Sequence, residues 1–194
     1  MTTVTRLRGA TGEEWYSWPV GAAAPALAAA AAGWSHDPAA SQNVAEAITA
    51  CDDWVGERGA RLAGVWVPPT LGGVVAARWW AGVADSSTDE AFRSARRYQR
   101  VVGGRKSDGS ATVFSQDIAS LFVGDTEVVV VVETRGDGDG TELYIFARAV
   151  YFPLGTTDRV LLESVCPILD LYDQFTDQLP LMVSSLAFDL AEEA

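Results

Sequence analysis

Few residues of this chain could carry out acid–base chemistry, and its only histidine is His36. That histidine lies in Trp34-Ser35-His36-Asp37-Pro38, directly before a predicted helix. A histidine beside a serine can activate the hydroxyl as a nucleophile, but the Gly-x-Ser-x-Gly elbow that usually presents such a serine is absent from the sequence. The pattern therefore favours a histidine in a loop near a helix start, and we predict no catalytic residue.

Metal and phosphate chemistry are not predicted either. Asp137, Asp139 and Glu142 resemble the beginning of a calcium loop, in which oxygen ligands stand at alternating positions. The bidentate carboxylate that ends such a loop is missing, so a hairpin turn explains these residues better. The segment 103–107 (GGRKS) lacks the spacing of a phosphate-binding loop. We therefore predict no metal and no cofactor, which favours a protein that is not an enzyme.

A basic segment points to binding instead of catalysis. It contains six of the fourteen basic residues and no acidic residue, whereas the chain from Thr156 to its C-terminus contains eight acids and only one base. The basic side chains then either pair with acids of the same fold or form a docking face for an acidic partner, which includes a second copy of this chain. The helical spacing of the first four predicts that they share one helix face. The segment consists of Arg93, Arg96, Arg97, Arg100, Arg105 and Lys106.

Tryptophan is the second feature that could mark an interface. All seven tryptophans lie between Trp15 and Trp80, and Trp79 and Trp80 are adjacent. Neighbouring residues of a strand face opposite sides of a sheet. We therefore expect one of this pair under a helix and the other facing solvent, the N-terminal residues or a partner.

The second half of the chain predicts an antiparallel meander. Residues 126–134 read TEVVVVVET, a β-branched run that is typical of a buried strand. Glycines and aspartates at 136–140 supply a turn before the next strand at 142–152. A further strand is predicted at 159–166, before Pro167. Shorter strands are expected nearer the N-terminus, at 14–20, 62–67 and 74–83.

Helices are predicted to cover this sheet. Asp37-Pro38 begins a helix that runs to about Glu57, and a second helix follows residues 86–90 and runs to about Arg100. Asp170 can cap a terminal helix, which Pro180 should kink or divide. The predicted fold class is α+β, with an antiparallel meander flanked by helices. Residues 1–37 are expected to form an N-terminal arm with an Ala-rich segment, and residues 38–194 a single domain.

Composition excludes several classes of function. The formal net charge is −12 over 194 residues, which makes nucleic acid an unfavourable partner. The apolar Ala-rich stretch is too short to span a membrane, which requires about 20 residues. Cys51 and Cys166 have no metal or redox spacing and are expected to be buried thiols in a reducing cytoplasm. Thirteen arginines against one lysine suggest a bacterium with a GC-rich genome.

Several segments of the second half resemble a known fold class. FARAVYFPLG, RVLLESVCPILDLYDQF and SSLAF, with the elements from Ala45 to Val67, resemble small actinobacterial proteins of the PsbP-like α/β/α sandwich class. The resemblance extends over about residues 39–188 and implies the sandwich fold. Members of that class include photosystem subunits, a nuclear-import cofactor and mycobacterial lipoproteins, and the class has no shared active site.

These observations predict a non-enzymatic interaction or accessory protein that binds a protein partner or forms a homodimer. The alternative is a small-molecule-binding protein or enzyme with an aromatic-lined pocket between sheet and helix. In that case polar groups such as Asp117, Tyr144 or Arg148 should converge on the pocket.

Overall fold

The computed structural model describes residues 2–9, 14–21, 25, 28, 37–56, 58–86, 89–104, 111–137 and 142–192. The predictions made for His36, Arg105, Lys106 and Asp139 lie outside the described residues.

The strands and helices of the described ranges follow in the order ββαββαββββαβ. The strands are β1 (Thr2–Gly9), β2 (Trp15–Pro19), β3 (Leu62–Trp66), β4 (Ala77–Asp85), β5 (Thr112–Val123), β6 (Thr126–Gly136), β7 (Leu143–Phe152), β8 (Asp158–Cys166) and β9 (Leu186–Glu192). The α-helices are α1 (Pro38–Gly56), α2 (Ala95–Val102) and α3 (Tyr172–Ser185). Short 3-10 turns lie at Pro69–Leu71, Glu90–Arg93 and Leu169–Leu171.

A seven-stranded antiparallel sheet is the centre of the fold. Its strand order is β2-β3-β4-β8-β7-β6-β5, so β5 to β8 form the predicted meander. The tight turn between β5 and β6 contains Gly124, whose φ of 58° is the left-handed conformation that glycine adopts readily. The prediction of an α+β fold with an antiparallel meander flanked by helices is confirmed.

The two ends of the chain form a sheet that the sequence analysis did not predict. β1 pairs antiparallel with β9, from Thr2 opposite Glu192 to Gly9 opposite Leu186. β2 is hydrogen-bonded to β3 and is an edge strand that ends at Pro19, as predicted. The proposed domain boundary at residue 37 stays a prediction, and both strands before it pair with strands that follow it.

Side chains alternate between the two faces of the sheet, and each face has its own cover. α3 and the β1–β9 pair pack on one face, here called the one-helix face, where Phe175 and Tyr151 are buried. α1 packs on the opposite face over β2 and β3, and α2 packs on that same face over β6 and β7. This second face is called the two-helix face. The protein is therefore an α/β/α sandwich.

Trp79 lies in the core of the one-helix face and is only 3 % exposed. Its indole fits there because Gly64, beside it on β3, has no side chain. A Cβ atom on Gly64 would stand 2.2 Å from Nε1 of the Trp79 indole and 2.3 Å from the carbonyl oxygen of Tyr16. Side chains do not pack this closely, so only glycine fits beside the indole in β3.

Two helix predictions differ from the structure. Asp170 does not cap α3, because it lies in the preceding 3-10 turn and Leu171 is the N-cap residue, with no side-chain cap. Pro180 does not divide the terminal helix, which continues from Tyr172 to Ser185 with the proline exposed on its surface. Phe175, Leu179 and Met182 of α3 are buried against the sheet, whereas Leu186 belongs to β9.

Candidate interaction surface

The basic segment is divided into two pieces that the sequence analysis treated as one helix face. Ser94 is extended, with φ −155° and ψ 155°, and its hydroxyl accepts a hydrogen bond from the backbone N–H of Arg97. α2 therefore begins only at Ala95, and Arg93 lies in the preceding 3-10 turn. The prediction that Arg93 shares a helix face with the later arginines is wrong, because Ser94 interrupts the helix between them.

Within α2 the arginines are exposed, while Ala95, Tyr98 and Val102 face the sheet. Arg97 forms an ion pair with Glu90, and Arg93 lies 3.7 Å from the same carboxylate. No ion pair within the described part of the chain involves Arg96 or Arg100. Those two side chains thus present positive charge to solvent.

One side of α2 is tied to the outermost strand of the sheet. Gln99 donates a hydrogen bond from Nε2 to the hydroxyl of Ser120, and Gln116 Nε2 donates to the carbonyl oxygen of Val102 at 3.4 Å. Ser120 and Gln116 both belong to β5, the edge strand. The arginine helix therefore covers β6 and β7 and has one side next to the edge strand.

Charged side chains also line the floor of the two-helix face. Glu133 is 3 % exposed and accepts hydrogen bonds from Arg135 Nε at 2.6 Å and from Gln116 Nε2 at 2.5 Å. Arg148 forms an ion pair with Glu163 on the neighbouring strand. Burial by itself would lower the pKa of Arg148, but Glu163 and Tyr98 raise it above its ordinary value. These opposite charges are paired within the fold, as buried charges must be.

An aromatic ring joins the two ion pairs. The guanidinium carbon of Arg135 lies 3.7 Å from the centre of the Phe146 ring, and that of Arg148 lies 5.2 Å from it. Cation–π contacts of this kind stabilise a desolvated guanidinium. The sequence analysis did not identify this network. The alternation of charged and apolar residues in β6 and β7 could have indicated it, since it places the charges on one face.

On the same face of the sheet, a cavity opens between α1 and the strands. It has a volume of about 360 Å³, and among the described residues that line it all are apolar except Arg78. The cavity lies at the end of α1, where Trp54 stands with the guanidinium of Arg58 4.2 Å from its ring centre. Volumes of this size hold small organic ligands. The lining residues are Trp54, Val75, Ala76, Ala77, Arg78, Val165 and Pro167.

The polar residues named for a ligand pocket do not converge. Asp117 faces the one-helix side, where its Oδ2 accepts a hydrogen bond from the Tyr172 hydroxyl at 3.1 Å. Burial and Asp117 raise the pKa of Tyr172. Arg148 and Tyr144 are on β7 and share the opposite face, because they are separated by an even number of residues. None of the three lines the cavity near Trp54.

The tryptophan pair is divided between the two faces, as the alternation predicts. Trp79 is buried in the core under β1 and α3, and Trp80 is partly buried beneath α1. Neither indole is fully exposed, so the structure places both in the interior packing and not on the arginine surface.

The acidic hairpin turn has a structural explanation where it is described. The backbone N–H of Glu142 donates to Asp137 Oδ1 at 3.2 Å, and that of Asp137 donates to the carbonyl oxygen of Glu142 at 3.1 Å. In the described residues no group of three acidic, histidine or cysteine side chains is placed to hold a metal ion. None of the described helices is both long and apolar enough to cross a membrane.

By its layers the structure thus belongs to the α/β/α sandwiches, and several solved structures are similar to it. They include the cyanobacterial PsbP protein CyanoP from Synechocystis, with a TM-score of 0.43 and 10% identity over 94% of this chain and 92% of that one. LpqN of Mycobacterium tuberculosis, which is involved in cell envelope biogenesis, has a TM-score of 0.49 and 7% identity over 97% and 90% of the two chains.

The Saccharomyces cerevisiae Ran-binding protein Mog1p has a TM-score of 0.32 and 12% identity over 57% of this chain and 67% of that one. No protein-family model matches the sequence, and no curated protein matches it. The PsbP-like resemblance inferred from the sequence is found again among these structures. It is a resemblance of fold, and it assigns no activity to this chain.

Proposed function

We propose that this protein is a non-enzymatic accessory protein that binds an acidic protein partner through the arginine surface of α2. One observation carries the proposal: Arg96 and Arg100 are exposed without an ion pair in the described residues, although the chain as a whole has a net charge of −12. Such a local positive field attracts an acidic surface and repels basic ones.

The alternative explanation of the basic segment is pairing with acids of the same fold. Glu90 supports it in part, because this carboxylate pairs with Arg97 and lies near Arg93. The acid-rich residues from Thr156 onward were the predicted partners, yet the described ion pairs connect them to Arg8 and Arg148 and not to α2. Internal pairing therefore does not account for Arg96 and Arg100.

We include Arg105 and Lys106 in the proposed surface, because they continue the basic segment in the sequence. A bacterial cytoplasm is proposed as the location. The buried, unpaired thiols of Cys51 and Cys166 are compatible with a reducing compartment.

A charge-reversal experiment tests the function. The variant Arg96→Glu/Arg100→Glu is compared with Arg6→Glu/Arg58→Glu, which changes the net charge equally at exposed positions away from α2. Each protein is immobilised and exposed to bacterial extract at about 0.05 and 0.5 M NaCl, a range over which screening of surface charges increases strongly. We expect acidic proteins to be retained at low salt by the wild type and the second variant only. Equal retention by all three proteins would contradict the proposal.

The cavity near Trp54 favours a second candidate function, the binding of a small organic anion. The guanidinium of Arg78 would hold a carboxylate or similar group, while the apolar lining would contact the rest of the molecule. Native mass spectrometry of the gently purified protein tests this. A ligand mass that is present in the wild type, lost on denaturation and absent from Arg78→Ala would support it, and a ligand-free wild type would contradict it.

A further inference from the structure

No described strand pairs with the outer edge of β5, and the strand itself has few of the features that protect an edge against pairing. We propose that an extended acidic segment of the partner adds to this edge as an eighth strand of the sheet, with its carboxylates facing Arg96 and Arg100. This inference rests on the proposed function, because it specifies how the acidic partner binds. Strand addition of this kind uses main-chain hydrogen bonds for affinity and side-chain contacts for specificity.

The two edges of the sheet differ in a way that supports this proposal. β2, at one edge, has five residues and ends with Pro19, and both features limit pairing with another strand. β5, at the other edge, has twelve residues, contains neither proline nor lysine, and has Asp117 as its only charged residue. Its one irregularity is a bulge between Val113 and Ser115, near its beginning. A regular edge remains from Ser115 to Val123.

β5 is held in a strand conformation by contacts on both of its faces. On the two-helix face, Gln116 and Ser120 bond to α2, and on the one-helix face Asp117 accepts from Tyr172. β6 pairs with it along its inner edge. Because the strand is ordered in advance, an added segment bears little further entropic cost from β5.

The exposed side chains next to the edge determine the chemistry of the added segment. Gln99 marks the side of α2 that lies against β5. Arg96 precedes Gln99 by about one helical turn and so lies beside it, and Arg100 is the next residue along the exposed surface of α2. Phe122, on the same strand two residues after Ser120, is 71% exposed. An added strand with acidic side chains on the two-helix face and an apolar residue near Phe122 would complement both features.

A second copy of this chain fits this edge less well. Antiparallel pairing of two β5 edges puts equal faces of both sheets on the same side, so the α2 arginines of one copy would approach those of the other. Each copy also carries a net charge of −12. The charges therefore favour a foreign acidic segment over self-pairing.

The probe for the test is a blocked twelve-residue peptide of alternating valine and glutamate, which matches the length of β5. Two control peptides separate the forces involved. The first control peptide has the same sequence with every second backbone nitrogen methylated, so that one edge of the peptide strand cannot donate hydrogen bonds. The second alternates valine and lysine, which reverses the side-chain charge. Binding is measured by fluorescence anisotropy, and amide hydrogen exchange of β5 is followed with and without the peptide.

Proline substitutions at two adjacent positions, Ala119→Pro and Ser120→Pro, block the edge in the protein. Neighbouring residues of an edge strand direct their N–H groups alternately toward β6 and away from it. One variant therefore loses a hydrogen bond to β6, while the other loses an outward donor and is expected to keep the fold. Ser120→Pro also removes the hydroxyl that accepts from Gln99, so Ser120→Ala is its control. Circular dichroism and thermal unfolding identify the proline variant that folds, and this variant is used in the binding measurements. The third protein, beside the wild type and the proline variant, is Arg96→Ala/Arg100→Ala.

We expect the glutamate peptide to slow amide exchange in β5 and to bind the folded proline variant roughly tenfold more weakly than the wild type, or worse. The methylated peptide should bind the wild type more weakly by a similar factor, and the arginine variant should also lose affinity.

Three other outcomes would contradict the proposal. If the glutamate peptide binds less well to the arginine variant, but neither the proline substitution nor methylation of the peptide weakens binding, strand addition is wrong and the proposed function still holds. No preference for glutamate over lysine would contradict both. A wild-type dimer that the proline variant abolishes would show that the occupant is a second copy and would overturn the proposal.

Discussion

Asp52 shows at the scale of one residue how α1 is attached to the sheet. Its buried carboxylate accepts a hydrogen bond from the Trp18 indole at 2.6 Å, and the backbone N–H of Gly21 is shared between its two oxygens, each at 3.2 Å. Trp18 belongs to β2, so this single carboxylate connects the helix to the edge strand. Removing the carboxylate would take the acceptor away from a buried indole N–H.

We therefore expect Asp52→Ala to lower the free energy of unfolding by about 1–3 kcal/mol, because it leaves the buried indole N–H of Trp18 without its acceptor. Asp52→Asn retains an acceptor oxygen and should lose less. Urea denaturation measures both changes. The neighbouring Asp53 is exposed, and Asp53→Ala should change stability by less than about 0.5 kcal/mol. Equal effects at the two positions would contradict the assignment.

Cys51 gives a prediction about pH. Burial raises the pKa of this thiol from 9.0 to about 11, while Arg78 lowers it and Asp52 raises it further. The folded protein therefore keeps a proton that the unfolded chain releases above pH 9. The stability contributed by this group is complete below about pH 9 and is lost as the pH rises toward about 11.

We expect the free energy of unfolding to fall over that pH window in the wild type and to fall less in Cys51→Ser, which has no thiol to ionise. Urea denaturation at several pH values between about 8 and 11 measures the two profiles. Identical profiles for the two proteins would exclude a contribution from Cys51.

At the scale of elements, α3 contains a residue that helices rarely include. Pro180 cannot donate a backbone hydrogen bond, and its ring crowds the preceding turn. A kink or a break is predicted here from the sequence. The helix is not broken and continues to Ser185, where Phe175, Leu179 and Met182 anchor it to the sheet. Tertiary packing has here overcome local preference.

Pro180→Ala should therefore stabilise the protein, since it restores a helix donor at an exposed position. We expect an increase in the free energy of unfolding of about 1 kcal/mol or more, because proline in a helix interior costs about 3 kcal/mol and the flexible unfolded chain offsets part of the gain. Thermal unfolding measures the change. Leu181→Ala, at an exposed neighbour with 62% exposure, is the matched control and should have little effect. A lower melting temperature for Pro180→Ala would show that the proline suits its site.

Local elements were predictable where a few neighbouring residues decide them. The valine run of β6 and the Asp37-Pro38 start of α1 were placed correctly, since strand alternation and helix capping act over short distances. The start of α2 was misplaced, because several residues between 86 and 94 can act as a cap. Ser94 is the one that caps the α-helix.

At the scale of the whole molecule, the negative charge opposes the compact state. The net charge is −12 and the isoelectric point is about 4.4, so mutual repulsion among carboxylates is relieved by salt. We expect the free energy of unfolding to rise by about 1 kcal/mol between about 0.02 and 0.5 M NaCl. The increase should be smaller in Asp125→Asn/Asp177→Asn, which removes two exposed charges. Urea denaturation at each salt concentration measures the free energy of unfolding of both proteins. A free energy of unfolding that decreases as NaCl is added would contradict this account.

The sequence by itself determined the composition of the surface, the α+β class and the order of the main strands and helices, because these depend on residue type and on local periodicity. Only the tertiary structure decided which residues meet. It pairs Thr2 with Glu192 across nearly the whole chain, puts Asp117 and Arg148 on opposite sides of the sheet, and brings α2 to the edge of β5. These contacts join residues that are distant in sequence, and no local pattern specifies them.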